Sequence, residues 1–106
     1  MRKLCLFLLI GALTMLSAKP AFADGAANYK AKCQICHGAD LSGNTPMGKK
    51  FAMKDLRSPE IQKQTDAQLV ATTKAGKNKM PAFKDKLNDD QTKGIIEYIR
   101  KTATTK

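Results

Sequence analysis

Two thiols three residues apart, with an imidazole directly after the second, restrict this chain more than anything else in it. Cys33-Gln34-Ile35-Cys36-His37 holds two of the three cysteines and the only histidine. The remaining cysteine, Cys5, falls in a leader segment discussed below. Three chemistries use C-x-x-C. A structural zinc site takes four ligands, usually all Cys or His, and after these three none remains to be the fourth. A thioredoxin-like redox pair opens a helix after a strand in a βαβ setting, and nothing before Cys33 reads as a strand. The third chemistry is covalent haem attachment. Both thiols add across the haem vinyl groups and the adjacent histidine reaches the iron, which requires the order C-x-x-C-H. Two cysteines and one histidine scattered over the 83 residues beyond the leader would fall this way about three times in ten thousand.

The leader is the first 23 residues. Arg2 and Lys3 precede an apolar run from Leu4 to Leu16, and the segment ends in Ala21-Phe22-Ala23, the small-x-small pattern of a secretory cleavage site. A membrane-spanning helix needs roughly 20 apolar residues; this run is shorter and is closed by Lys19 and Pro20. The expectation is a cleaved signal peptide over 1–23 directing export to a bacterial periplasm, with a retained anchor as the alternative. Cys5 leaves with it, too early to be a lipid-attachment cysteine.

Residues 24–106 then form one small domain. A core of that size is marginal by itself and gains from a metal, disulfide or cofactor. A bridge between Cys33 and Cys36 would close only a tiny loop, so those thiols serve something else. The full chain is formally +10. Removing three bases and no acid leaves 16 basic residues against 9 acidic, a formal +7. Such a surface suits nucleic acid, anionic membrane or an acidic protein. Export and the lack of a recognition-helix or stacking-aromatic pattern argue against nucleic acid. No stable membrane insertion is expected after cleavage.

A haem iron in an electron carrier takes a second axial ligand. With no second histidine, methionine sulfur is the common choice, and it raises the reduction potential. Met47, Met53 and Met80 remain after cleavage. Met47 follows His37 by ten residues, too closely to wrap to the far haem face, and Met53 reads as packing. Met80 lies 43 residues beyond His37 in Ala75-Gly76-Lys77-Asn78-Lys79-Met80-Pro81, between two helical stretches. Gly76 frees the backbone before it and Pro81 stiffens it after. Met80 is the expected ligand, Met53 the second choice.

The pattern is helical throughout. Asp24 can cap a helix over Gly25–Gln34 with Ala26, Tyr29 and Cys33 on one face. Residues 38–50, rich in Gly, Pro and polar residues, read as loop. Ser58-Pro59-Glu60 opens a short helix. Thr65 with Gln68, and Asn88 with Gln91, have capping-box spacing. They start helices carrying Leu69, Val70 and Thr73, and then Ile95, Ile96 and Ile99, inward.

These features together resemble the small single-haem class I c-type cytochromes over nearly all of residues 24–106. Gly25-x-x-x-Tyr29-x-x-x-Cys33 resembles the family's first helix, Cys33-x-x-Cys36-His37 its attachment site, and Lys79-Met80-Pro81-Ala82-Phe83 its axial-methionine loop. Tyr98 resembles the aromatic residue of its last helix. The resemblance implies an all-α fold, three main helices plus short ones wrapped around one covalent haem c. It also implies a close crossing of the first and last helices at Gly25, with Tyr29 and Tyr98 packed there; Gly94, a costly mid-helix glycine, fits such an approach. A proline carbonyl that orients the haem histidine through Nδ1–H is implied too, and Pro46 is the candidate. Phe51, Leu56, Leu69 and Phe83 are candidate pocket walls.

An iron held by His37 and Met80 has no open position, so a carrier of single electrons is expected rather than an enzyme. It would be a soluble, periplasmic, monomeric protein whose redox partners present acidic docking surfaces to Lys49, Lys50, Lys77, Lys79, Lys84 and Lys86. Two other readings stand beside it. One is a haem subunit of a larger dehydrogenase or oxidase complex. The other is a ligand-binding haem protein, should Met80 not ligate.

Overall fold

The structure, a computed structural model, describes residues 24–105. The leader over 1–23 lies outside the described residues. Six helices follow one another: α1 (Gly25–Lys32), α2 (Gln34–His37), α3 (Pro46–Lys50), α4 (Pro59–Gln62), α5 (Asp66–Ala75) and α6 (Asp89–Thr104). Among the described residues there is no strand, only one isolated antiparallel bridge between Lys77 and Met80. No helix among them is long and apolar enough to cross a membrane.

The two strongest local signals form as expected. Thr65 Oγ1 accepts from Gln68 N at 3.1 Å while Thr65 N donates to Gln68 Oε1 at 2.8 Å. Asn88 and Gln91 make the same reciprocal pair at 2.7 and 2.9 Å. Each box satisfies two amide donors that a helix start would otherwise leave unpaired.

Other starts differ. Asp24 makes no side-chain cap bond. Ser58 also makes none, and its Oγ is buried without a partner, so α4 rests on Pro59 at its first position. The expected helix over Gly25–Gln34 stops at Lys32. Cys33 N still donates to Tyr29 O at 2.8 Å, but Cys33 swings to φ −116° and α2 restarts beyond it. Residues 46–50, read as loop, form α3, because Thr45 Oγ1 accepts from Gly48 N at 2.8 Å and Pro46 supplies a preset φ.

Helices α1 and α6 cross where two glycines meet. A Cβ on Gly25 would collide with the Gly94 carbonyl, so only glycine lets the backbones touch. Alongside, the Tyr29 and Tyr98 rings lie 5.3 Å apart at 45°, a tilted aromatic contact of favourable geometry. Tyr29 is fully buried, whereas Ala26 is exposed, so the buried face of α1 is Gly25 and Tyr29. Ile95, Ile96 and Ile99 of α6 join Leu41, Phe83 and Leu87 in the core. Gly25→Val should force the two helices apart and destabilise the protein by roughly 1–3 kcal/mol, the usual range for overpacking. Denaturant unfolding of the haem-loaded protein measures this, and an unchanged midpoint would contradict the crossing.

Candidate haem site

Helix α2 is a single turn, and the carbonyls at its end are all satisfied. Gln34 O accepts from Gly38 N at 2.8 Å and His37 O from Gly43 N at 2.7 Å. The two between them, Ile35 O and Cys36 O, accept from Thr45 Oγ1 at 2.9 and 3.1 Å. Thr45 therefore caps α3 with its lone pairs and clamps α2 with its proton. Gly38 leaves the turn with φ +85°, and Tyr29 Oη donates to its carbonyl at 2.6 Å. Helix α3 can lie this close only because residue 48 is glycine, whose Cβ would meet Gly43 O and Cys36 O.

This framework turns Cys33 and His37 into a cleft of about 200 Å³, partly open to solvent. The walls are mostly apolar, with Phe51, Leu56, Ile61, Leu69, Ile95, Ile96 and Ile99 among the lining residues. Met80, 43 residues beyond His37, lines the same cleft, and so does Met53; Met47 does not.

Met80 is presented by a turn held at several points. Lys77 N donates to Met80 O at 3.0 Å and Met80 N to Lys77 O at 2.9 Å, with Asn78 at φ +57°. Gly76, at φ +81°, lets the loop fold over it; a Cβ there would come within 2.8 Å of Met80 O and Ala82 N. Phe83 N then donates to Thr73 O at 3.1 Å, fastening the loop to the end of α5.

The electrostatics suit an uncharged donor set. Burial pushes the His37 pKa below its ordinary value, favouring the neutral imidazole. Its Nδ1 is enclosed without a hydrogen-bond partner, which leaves Nε2 as the nitrogen able to reach the cleft. Burial, reinforced by Cys36 and opposed by Lys32, pushes the Cys33 thiol up to about 11. A sulfur held neutral in an apolar wall is compatible with a thioether. An apolar slot lined by Cys33, a neutral His37 imidazole and two thioethers, with the Cys36 thiol one turn on, fits covalent haem.

The same conclusion comes from likeness. Residues 20–99 match the family described as "Cytochrome C oxidase, cbb3-type, subunit III". The chain belongs to the c-type cytochromes. A cytochrome c6 of Synechococcus sp. is 33% identical over 91 residues, covering 82% of this chain and 79% of its own. That of Leptolyngbya boryana is 35% identical over 80 residues, with coverages of 73% and 91%. A solved structure, the KustC0563 c-type cytochrome, matches with a TM-score of 0.67 at 29% identity, over 74% of this chain and 96% of that one. The fold is the small all-α cytochrome c fold, and the cofactor is covalent haem c with its iron.

Two expected site residues of the cytochrome, Pro46 and Phe83, make other contacts. Pro46 does not accept from His37 Nδ1, which has no partner. Pro46 is the first residue of α3, and a carbonyl there points along its own helix toward the amide four residues on. Phe83 is 6% exposed within the core cluster and does not line the cleft; Phe51, Leu56 and Leu69 do. Ile61, Gln64, Thr72 and the α6 isoleucines complete the lining, and Thr45 positions α2. The Thr45-Pro46 pair, a cap before a helix-starting proline, was the available signal for the last.

Lys54, Lys77 and Lys79 line the cleft's polar part, and Lys54 pairs with Glu60 at 2.7 Å. Lys49, Lys50, Lys84 and Lys86 are exposed but lie outside the lining. Ile35, inside the attachment motif, is 68% exposed.

Proposed function

We propose that this cytochrome is a soluble periplasmic carrier of single electrons, with haem attached through Cys33 and Cys36 and ligated by His37 and Met80. The observation that carries the reading is the convergence of Cys33, His37 and Met80, from segments more than 40 residues apart, on one apolar cleft. When bound, haem iron supplies one-electron chemistry by changing oxidation state. The residues do the rest. His37 offers a neutral nitrogen, and Met80, on its fastened turn, offers sulfur that favours the reduced iron and raises the potential. Held by His37 and Met80, a bound haem would pass electrons rather than take up a substrate, which fits a carrier and not an enzyme. The isoleucines of α6, which line the cleft, would keep water from a bound haem.

The exposed lysines around the cleft mouth supply the partner surface. A monomer this cationic attracts an acidic redox partner from a distance, which speeds encounter more than it tightens the complex. Such attraction is screened beyond about 8 Å at physiological ionic strength. The second-order electron-transfer rate with the partner should therefore fall steeply with added salt. Lys77→Glu or Lys79→Glu should slow it without moving the potential. Stopped-flow rates across a salt series check both.

The alternative is a haem subunit docked permanently in an oxidase or dehydrogenase complex, and the oxidase-subunit description of the matching family favours it. Electron transfer would then be first-order. A rate independent of salt and of partner concentration would establish the subunit and defeat the shuttle.

A further inference from the structure

Arg100 stands near the end of α6 with its side chain 26% exposed. Its guanidinium is committed to one short stretch of chain. Nε donates to Asp66 Oδ1 at 2.9 Å, one terminal nitrogen to Gln62 O at 2.8 Å, and the other to Gln64 O. Two backbone carbonyls and a carboxylate, all between the end of α4 and the first turn of α5, are thereby fastened to a helix more than 30 residues away. Only a planar, forked donor set can span three such acceptors at once.

The fastening continues through Gln62. Its Nε2 donates to Leu56 O at 2.7 Å. Leu56 N donates to Leu41 O at 2.9 Å, and Leu41 N to Gly38 O at 3.2 Å. Leu41 is fully buried in a left-handed conformation at φ +71°, which leucine adopts only when its surroundings hold it there. Gly38 is the residue after His37. A chain of hydrogen bonds thus runs from α6, across residues 55–66, to the end of the attachment motif.

Otherwise that intervening segment is held by Leu56, which packs half-buried against the core, and by the exposed Lys54–Glu60 ion pair. No residue from 55 to 66 is buried. Yet Leu56, Ile61 and Gln64 line the haem cleft. A cleft wall with so little buried apolar surface depends on directed bonds as well, and Arg100 and Gln62 supply those that reach across to α6.

We infer that Arg100, acting through Gln62, is a positioning latch that holds residues 55–66 shut as one wall of the haem cleft and so sets how dry that side of the haem is. A drier haem disfavours the extra charge of the oxidised iron, so the latch raises the reduction potential. It also slows access of outside ligands to the iron. The inference rests on haem occupying this cleft.

The test uses holoprotein shown to carry one covalent haem per chain, so that a failure of attachment is separated from a failure of the latch. Arg100→Lys keeps the charge but not the fork; Gln62→Ala breaks the relay without touching any charge. Both should shift the potential downward and let imidazole bind the oxidised protein several-fold faster. Asn88→Ala is the comparison, because it removes a capping box of α6 that touches no part of this wall. It should lower thermal stability while leaving potential and imidazole kinetics at their original values. Should Arg100→Lys fail to yield holoprotein, Gln62→Ala decides alone. Original potential and imidazole kinetics in the latch variants, or equal changes in Asn88→Ala, would overturn the assignment.

Discussion

Replacing both Cys33 and Cys36 by alanine should abolish covalent haem. On a denaturing gel stained for haem, the double variant gives no band where the unaltered protein gives one. The expected loss is complete, because among the described residues no other cysteine exists to form the link. Cys33 is 7% exposed, faces the cleft and is held neutral by burial. Cys36 lies one helical turn on, its amide bonded to Cys33 O at 3.2 Å. The fold should suffer as well. The isoleucines of α6, with Leu56 and Leu69, line the cleft, and a small domain has few other apolar contacts to spare. The haem-free variant should lose much of its helical circular dichroism, above all from α4, which spans only four residues and has no side-chain cap. Haem retained covalently in the double variant would remove the basis for placing the site at α2.

What could be read from the sequence was mostly local. Capping boxes at Thr65 and Asn88 depend on residues three apart, and both form. The Ile95, Ile96, Ile99 stripe follows from helical periodicity alone, and all three are buried. The attachment motif is likewise five consecutive residues. Features that depend on distant segments were less visible. Thr45 clamps α2 through carbonyls nine and ten residues earlier, and polar, glycine-rich composition hid the short helix it caps. Phe83 follows the Met80 turn and reads as a pocket wall, but the bond from its amide to Thr73 O carries its ring into the core. Pro46 is the only proline in its stretch, and elimination of that kind ignores which way a carbonyl points once a helix begins. The Arg100 latch spans up to 38 residues, so it has no sequence signature beyond an arginine near a helix end.

Met80→Ala tests the distal ligand, and here two thioethers compete for the role. Met53 and Met80 both line the cleft and both are partly buried, so lining alone does not separate them. Their settings do. Met53 follows Ala52, which sits at φ +53°, and its amide donates to Gly48 O at 2.8 Å; that ties the residue to α3, which packs against the His37 side of the cleft. Met80 arrives from a separate segment, more than 40 residues beyond His37, on a turn closed by two backbone bonds and braced by Gly76. Met80 would therefore hold a bound haem from a segment independent of the one that carries His37. The oxidised protein should show a weak sulfur-to-iron band at the red edge of the spectrum. Met80→Ala should abolish it outright, lower the reduction potential and let the reduced protein bind carbon monoxide stoichiometrically where the unaltered protein binds none. Loss of the potential follows from loss of a ligand that favours the reduced iron and from water entering the vacated position. Met53→Ala should keep the band and remain closed to carbon monoxide, with only a modest loss of packing. If Met53→Ala instead opens the iron and Met80→Ala leaves the band intact, the ligand is the sulfur beside α3, and the turn at Lys77–Met80 serves only to close the cleft.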